Sequence, residues 1–426
     1  MSIKQKRSPL RVALGGLLSG IGLLTGVLAW EMSASDMPPV SASAGAADAS
    51  GVERGAYLAR AGNCLACHTA RGGVPYAGGR EITTPFGTLV SSNLTADPDT
   101  GLGTWSQDAF QRAMHEGISR DGRLLYPAFP YAHMTRMSEA DVADLWAFVQ
   151  TLKPVHHDAG EHRLRFPYKL QVSLALWRLV NFSPERHQAD AGQSRAFNRG
   201  SYLVNGVAHC GACHTPRDAW GGARLDARLS GATMPGDKWL APSLLDPAAA
   251  GVQDWPAADV VSLLAGGQAH DAVVMGPMAE VVFNGTQYLD EADLDAMAEY
   301  LQALPRQPTE ALPFLLAPQD QMEIGQALYD KHCAACHGET GQGAPGAYPA
   351  LAGNRTVTMA SPLNLLQAIL SGGFAPATKA HPRPYGMPPF RTLLNDREIA
   401  AVATFLRQSW EHQARPVSPQ DVQAAR

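Results

Sequence analysis

Six cysteines and three histidines carry the chemistry that is legible in this sequence. Cys64-Leu-Ala-Cys67-His68, Cys210-Gly-Ala-Cys213-His214 and Cys333-Ala-Ala-Cys336-His337 take up every cysteine of the chain. Two thiols three positions apart share one face of a helical turn, and the histidine that follows projects an imidazole from the same turn. Such a turn can capture one porphyrin covalently: both thiols add to its vinyl groups, and the imidazole meets the iron from the proximal side. Structural zinc wants four ligands close together; each cluster here supplies three, with no recurring fourth. A thiol–disulfide redox pair belongs on a βαβ unit, and no such pattern is present. Three covalent haem c groups are expected, with the six cysteines as attachment residues and His68, His214 and His337 as iron ligands.

An electron-transfer haem commonly closes its sixth position with methionine, which raises the potential. Gly386-Met387-Pro388-Pro389 stands just before a helix start, 50 residues past His337. Gly276-Pro277-Met278-Ala279 stands 64 residues past His214, with Met275 as a competitor. In the first unit Met134 is 66 residues past His68. His133 could coordinate there instead and would give a lower-potential bis-histidine site, while Met137 lies nearer the helix cap. Met134, Met278 and Met387 are the ligands expected on spacing. The other imidazole N–H normally goes to a backbone oxygen, and the carbonyls of Pro242 and Pro349 are the candidates.

These groups need elements to hold them, and the elements repeat. Arg54-Gly-Ala-Tyr-Leu, Arg199-Gly-Ser-Tyr-Leu and Ile324-Gly-Gln-Ala-Leu-Tyr each read as a short helix delivering a cysteine pair at its end. Each unit closes with a helix that starts at Ser138, Asp290 or Asn395, with a carboxylate three positions on: Asp141, Asp293 and Glu398. An aromatic follows ten residues past each cap: Phe148, Tyr300 and Phe405. First cysteines 146 and 123 residues apart are too widely spaced for a solenoid. Tandem domains at 51–155, 196–305 and 319–412 are expected, joined by linkers 156–195 and 306–318 and followed by a tail 413–426. The absence of long alternating patterns makes the class mainly α with long loops.

Lys4, Lys6, Arg7 and Arg11 precede an uncharged stretch, Val12–Trp30, long enough to cross a bilayer. The basic flank puts the N-terminus in the cytoplasm and sends the rest outward; a cleaved signal peptide is the rival reading. Residues 1–30 are expected to be the flank and anchor, and 31–50 a flexible tether. A net charge of −5 with scattered basic residues gives no reason to expect a nucleic-acid partner. No Gly-rich phosphate loop, nucleophile elbow or H-E-x-x-H motif appears.

Longer motifs add a resemblance. Thr84-Pro-Phe-Gly-Thr, Ser92-Asn-Leu-Thr, Arg120-Asp-Gly-Arg-Leu-Leu-Tyr-Pro-Ala, His209-Cys-Gly-Ala-Cys-His-Thr-Pro-Arg and Gly276-Pro-Met-Ala-Glu-Val-Val are similar to the triple-haem cytochrome c subunits of bacterial membrane-bound dehydrogenases. The resemblance covers Arg54 to Val417 and implies three tandem class I cytochrome c domains behind an N-terminal transmembrane helix. It implies electrons arriving from a periplasmic catalytic subunit (molybdenum, quinoprotein or flavoprotein) and leaving to ubiquinone or a terminal oxidase. The haem domains would then face the periplasm from the inner membrane. Many relatives carry methionine within Tyr-Pro-Ala-Met-Pro-Tyr, where this chain has Phe129. The phenylalanine form resembles cytochromes that accompany molybdenum hydroxylases and leans the expected partner toward aldehyde oxidation. Two rivals stand beside the electron-relay reading: a peroxidase-like haem enzyme with an open first iron, and a free-standing quinol-to-oxidase shuttle.

Overall fold

A computed structural model describes residues 49–426, apart from 235, 237, 270, 271, 311 and 312. The expected anchor at 12–30 and nearly all of the tether lie outside the described residues. Among the described residues, no helix is long and apolar enough to cross a membrane.

The first domain is built on α1 (Ala49–Ala61), α2 (Gln107–Glu116) and α3 (Glu139–Thr151), and α4 (Gln171–Asn181) follows it. The second comprises α5 (Arg195–Tyr202), α6 (Ala257–Gly266), α7 (Pro277–Asn284) and α8 (Glu291–Gln302). The third comprises α9 (Gln319–His332), α10 (Leu363–Ser371), α11 (Asp396–Gln408) and α12 (Pro419–Ala425). Strands are short and antiparallel: β1 (Glu81–Thr84), β2 (Gly87–Val90) and β3 (Arg163–Leu164) form one sheet. The later domains carry small hairpins, in which β4 (Ala232–Thr233) pairs with β5 (Leu240–Ala241) and β6 (Gln268–Ala269) with β7 (Ala272–Val273). In the third domain β8 (Gly373–Phe374) pairs with β9 (Gly386–Met387). The mainly α reading holds.

One helix crossing builds each domain, and the repeated glycine and aromatic explain it. The lead-in helix crosses the closing helix at Gly55, Gly200 or Gly325. A Cβ there would sit 1.9 Å from the carbonyl oxygen of Asp144, 1.9 Å from that of Ala296, and 2.3 Å from that of Ala401. The same imaginary Cβ atoms lie 2.8, 2.8 and 2.7 Å from the Cβ atoms of Phe148, Tyr300 and Phe405. The glycine is the notch and the aromatic closes over it. Ser138, Asp290 and Asn395 cap their helices as expected, each accepting from the N–H three residues on.

The first two domains share one core, which joins Leu58, Met134, Val142 and Leu145 to Leu203, Val204, Leu294 and Met297. The third keeps its own, around Tyr329, Leu366, Leu370, Ile399 and Leu406. The segment read as a tail is part of that core: α12 buries Val422 and Ala425, and Arg426 donates to the carbonyls of Arg391 and Leu394. The linker 156–195 is likewise built onto the first domain. Its β3 extends the β1–β2 hairpin, α4 packs Leu174 and Ala175 on Ile118 and Leu124, and Arg186 donates to His115 Nδ1 at 2.7 Å. Sequence reading overlooked these segments because the surfaces that bury them are distant in sequence.

Candidate haem-binding sites

Each attachment turn follows its lead-in helix, directly in the third domain, after Gly62 and Asn63 in the first, and after a π-helical stretch, Leu203–Val207, in the second. Cys64–Cys67, Gly211–His214 and Ala334–His337 are single helical turns, and all six cysteines are free thiols. Asn63 and His209, the residues just before the first cysteine of the first two motifs, take left-handed φ of 52° and 40°. That kink turns the chain sharply from helix to attachment turn. Burial pushes the Cys64 and Cys210 thiols up to about 12 and the Cys333 thiol up to about 11, so all three are protonated at neutral pH.

The three histidines are held alike. His214 Nδ1 lies 2.7 Å from the Pro242 carbonyl oxygen and His337 Nδ1 2.9 Å from that of Pro349, as the sequence led us to expect. His68 Nδ1 uses Ser92 O at 2.8 Å, an acceptor the sequence reading did not single out. A shared signal marks all three: a leucine stands two residues after each acceptor, Leu94, Leu244 and Leu351, each packed on a core. A carbonyl can only accept, so Nδ1 carries the proton and the Nε2 lone pair is left for a metal. Burial also lowers the three imidazoles' pKa values, which keeps that lone pair available at neutral pH.

The surroundings fit a large apolar macrocycle. A single apolar cavity is lined by Cys210, Cys213, His214 and Met278 and continues to Cys333, His337 and Met387. In the second domain both attachment cysteines, the proximal histidine and the candidate methionine thus face a common space, and in the third the same space takes in Cys333, His337 and Met387, while Cys336 is exposed. Met278 sits in the first turn of α7 and Met387 in β9. Met275 also lines the cavity, with its methyl 3.9 Å from where a Cβ on Gly373 would lie, toward the third domain.

In the first domain the structure separates His133 from Met134. His133 turns toward the second domain: its Nδ1 lies 3.3 Å from Asn205 O, and its Cε1 lies 3.0 Å from a Cβ position on Gly211, inside the second attachment turn. Burial pushes its pKa down to about 3. Met134 is 4% exposed and shares the core with Cys64, Leu94 and Phe129; Met137 is fully buried in that core.

Side chains outside the motifs brace the turns, and the sequence reading missed them. Arg80 donates to Ala66 O at 2.6 Å within the first motif, and Arg217 to Ala212 O at 3.0 Å within the second. Arg80 also pairs with Glu280 on α7 at 2.8 Å, wiring the first attachment turn to the helix that carries Met278. His209 Nε2 donates to Gly62 O at 3.1 Å, so the residues leading into the first two attachment turns are hydrogen-bonded to each other. Nothing in sequence marks such long-range partners.

Similarity to known proteins follows the same three-part division. The Cytochrome c family profile matches residues 52–153, 197–305 and 322–410, one match around each attachment turn. The chain belongs to the cytochrome c family. This cytochrome is 37% identical over 399 residues to the cytochrome c subunit of a quinone alcohol dehydrogenase from Gluconobacter oxydans, covering 89% of the chain and 83% of that protein. It is 36% identical over 399 residues to the gluconate 2-dehydrogenase cytochrome c subunit of Pantoea cypripedii, covering 88% and 89% respectively. It is also 37% identical over 397 residues to a nicotinate dehydrogenase subunit from Pseudomonas putida, covering 91% of the chain and 32% of that longer protein. The resemblance to dehydrogenase cytochrome c subunits is therefore borne out, and this cytochrome is an electron-transfer subunit, not a catalytic one.

Proposed function

We propose that this cytochrome carries electrons through three covalent haems, received from a separate periplasmic dehydrogenase subunit and passed on to ubiquinone or a terminal oxidase. The observation that carries the reading is the threefold recurrence of one geometry: two thiols on a turn, with a neutral imidazole locked through Nδ1 to a backbone carbonyl. Bound at such a turn, haem c supplies one-electron chemistry. The protein's part is to fix each imidazole, line the cavity with apolar groups and set the turns side by side. We assign Met134, Met278 and Met387 as sixth ligands. His133 is engaged by the second domain, which leaves Met134 as the candidate sixth ligand at the first site. The relatives named above serve alcohol, gluconate and nicotinate dehydrogenases, and an alcohol- or aldehyde-oxidising partner fits this chain. Residues 12–30 would anchor it in the inner membrane, with the domains in the periplasm.

Haem quantitation by alkaline pyridine spectroscopy, together with the mass of the intact chain, tests the count: three haems per chain are expected, and two or fewer overturn it. Pull-down from native membranes tests the partner. Isolation with no large catalytic subunit would favour the free-standing shuttle.

A further inference from the structure

Helix α4 is apolar on two sides. Leu174 and Ala175 are buried on the first domain. Val172, Leu176, Leu179 and Val180 recur at helical spacing on the other side and are 39, 42, 40 and 83% exposed. A helix apolar all round is ordinarily covered on both sides. The patch extends past the helix. Phe166 is 74% exposed, and Tyr168 packs on Phe86 with ring centroids 4.7 Å apart. Phe86 in turn lies 2.8 Å from a Cβ position on Gly221, next to Trp220, which is 72% exposed.

Along this stretch of sequence the charge has one sign. Residues 162–184 hold Arg163, Arg165, Lys169 and Arg178 and no acid, in a chain of net charge −5. Arg165 and Lys169 are exposed beside Phe166; Arg163 pairs with Glu81 on β1, and Arg178 turns inward to Glu116 O. Projecting aliphatic and aromatic side chains, with tryptophan and tyrosine at the edge and cations alongside, suit the boundary between lipid headgroups and acyl chains. A protein partner would call for a pocket and a mixed polar rim. Here the most exposed side chains project, with the exposed cations Arg165 and Lys169 beside them.

We propose that α4, with Phe166, Tyr168 and Trp220, seats on the surface of an anionic lipid bilayer, the helix lying in the interface plane. The seat is independent of the N-terminal stretch and of the electron-transfer reading. It would fix how the first two domains are oriented over the membrane.

The test places a nitroxide label on the full haem-loaded chain through Val180→Cys, with a control label through Gln326→Cys on α9. Phosphatidylglycerol-containing vesicles should abolish collisions of the label at 180 with a water-soluble nickel chelate and raise its collisions with oxygen. The label at 326 should not change. Arg165→Glu with Lys169→Glu should weaken the seating by about fivefold for each cation removed. Three outcomes overturn the proposal: chelate access at 180 unchanged by vesicles, equal protection on purely zwitterionic phosphatidylcholine, or protection only when a catalytic subunit is added.

Discussion

The Tyr57 hydroxyl, on the lead-in helix of the first domain, donates to the Asp293 carboxylate of the second at 2.7 Å and accepts from the Asp290 N–H at 3.3 Å. The exchange is reciprocal: Tyr202 of the second domain donates to Asp141 of the first and accepts from the Ser138 N–H at 3.1 Å. In a capping box the carboxylate at the third helical position would itself accept from the cap's N–H. Here a tyrosine from the opposite domain is inserted between them. The third domain has Ala327 at the position equivalent to Tyr57, and its box closes directly, Asn395 N–H to Glu398 at 2.8 Å. This exchange clasps the first two domains around their shared core.

Removing one clasp hydroxyl should loosen both domains together. Tyr57→Phe and Tyr202→Phe should each cost about 1.5–3 kcal/mol, the range for a hydrogen bond to a charged group. Urea unfolding followed by far-UV circular dichroism checks this. A loss confined to one domain's transition would count against the clasp.

The glycine notches make a sharper steric test. Gly55→Ala, Gly200→Ala and Gly325→Ala each place a methyl within 2.3 Å of a carbonyl on the crossing helix, forcing the helices apart. Each should cost about 1–3 kcal/mol or more. Gly325→Ala should affect the third domain, which has its own core, and spare the other two. Limited proteolysis with mass analysis reads which domain opens.

Ligand exchange at the first site separates Met134 from His133. Met134→Ala should convert one haem from low to high spin in the electron paramagnetic resonance spectrum, while His133→Ala should leave all haems low-spin. The reverse pattern would assign His133 as the ligand. Met278→Ala and Met387→Ala should each convert a different single haem.

Acid should weaken the first domain through His115. Burial, together with the neighbouring Arg186 cation, pushes its pKa from 6.5 down to about 4. The unfolded chain therefore binds one more proton between those values. The stabilisation is fully present above pH 6.5 and falls with pH by up to about 1.4 kcal/mol per unit as pH approaches 4. Urea midpoints at pH 7 and pH 5 measure the loss, and His115→Gln should flatten the difference.

Much of the molecule was legible in sequence because its information is local. The cysteine pairs and following histidines lie within one turn, the caps within three residues of their carboxylates, and the proline acceptors 28 and 12 residues past their imidazoles in the same domain. Repetition strengthened each of these, since one aromatic at a fixed offset is only a core residue but three mark a shared fold. The segments read as linker and tail were missed because their burial comes from surfaces distant in sequence: Ile118 and Leu124 for α4, and the core of α10 and α11 for α12.

The sequence by itself determined the three attachment turns, the mainly α domains and the helix caps, because short-range geometry dictates them. Only the tertiary structure decided which cap carboxylates answer to a tyrosine of another domain, that Arg80 joins the first attachment turn to α7, and that His209 bonds the chain leading into the first turn. It also decided that the second and third sites face one cavity, and that His133 turns away from its own domain. These are contacts between groups up to 236 residues apart, as for Tyr57 and Asp293, and only packing brings them within hydrogen-bonding range.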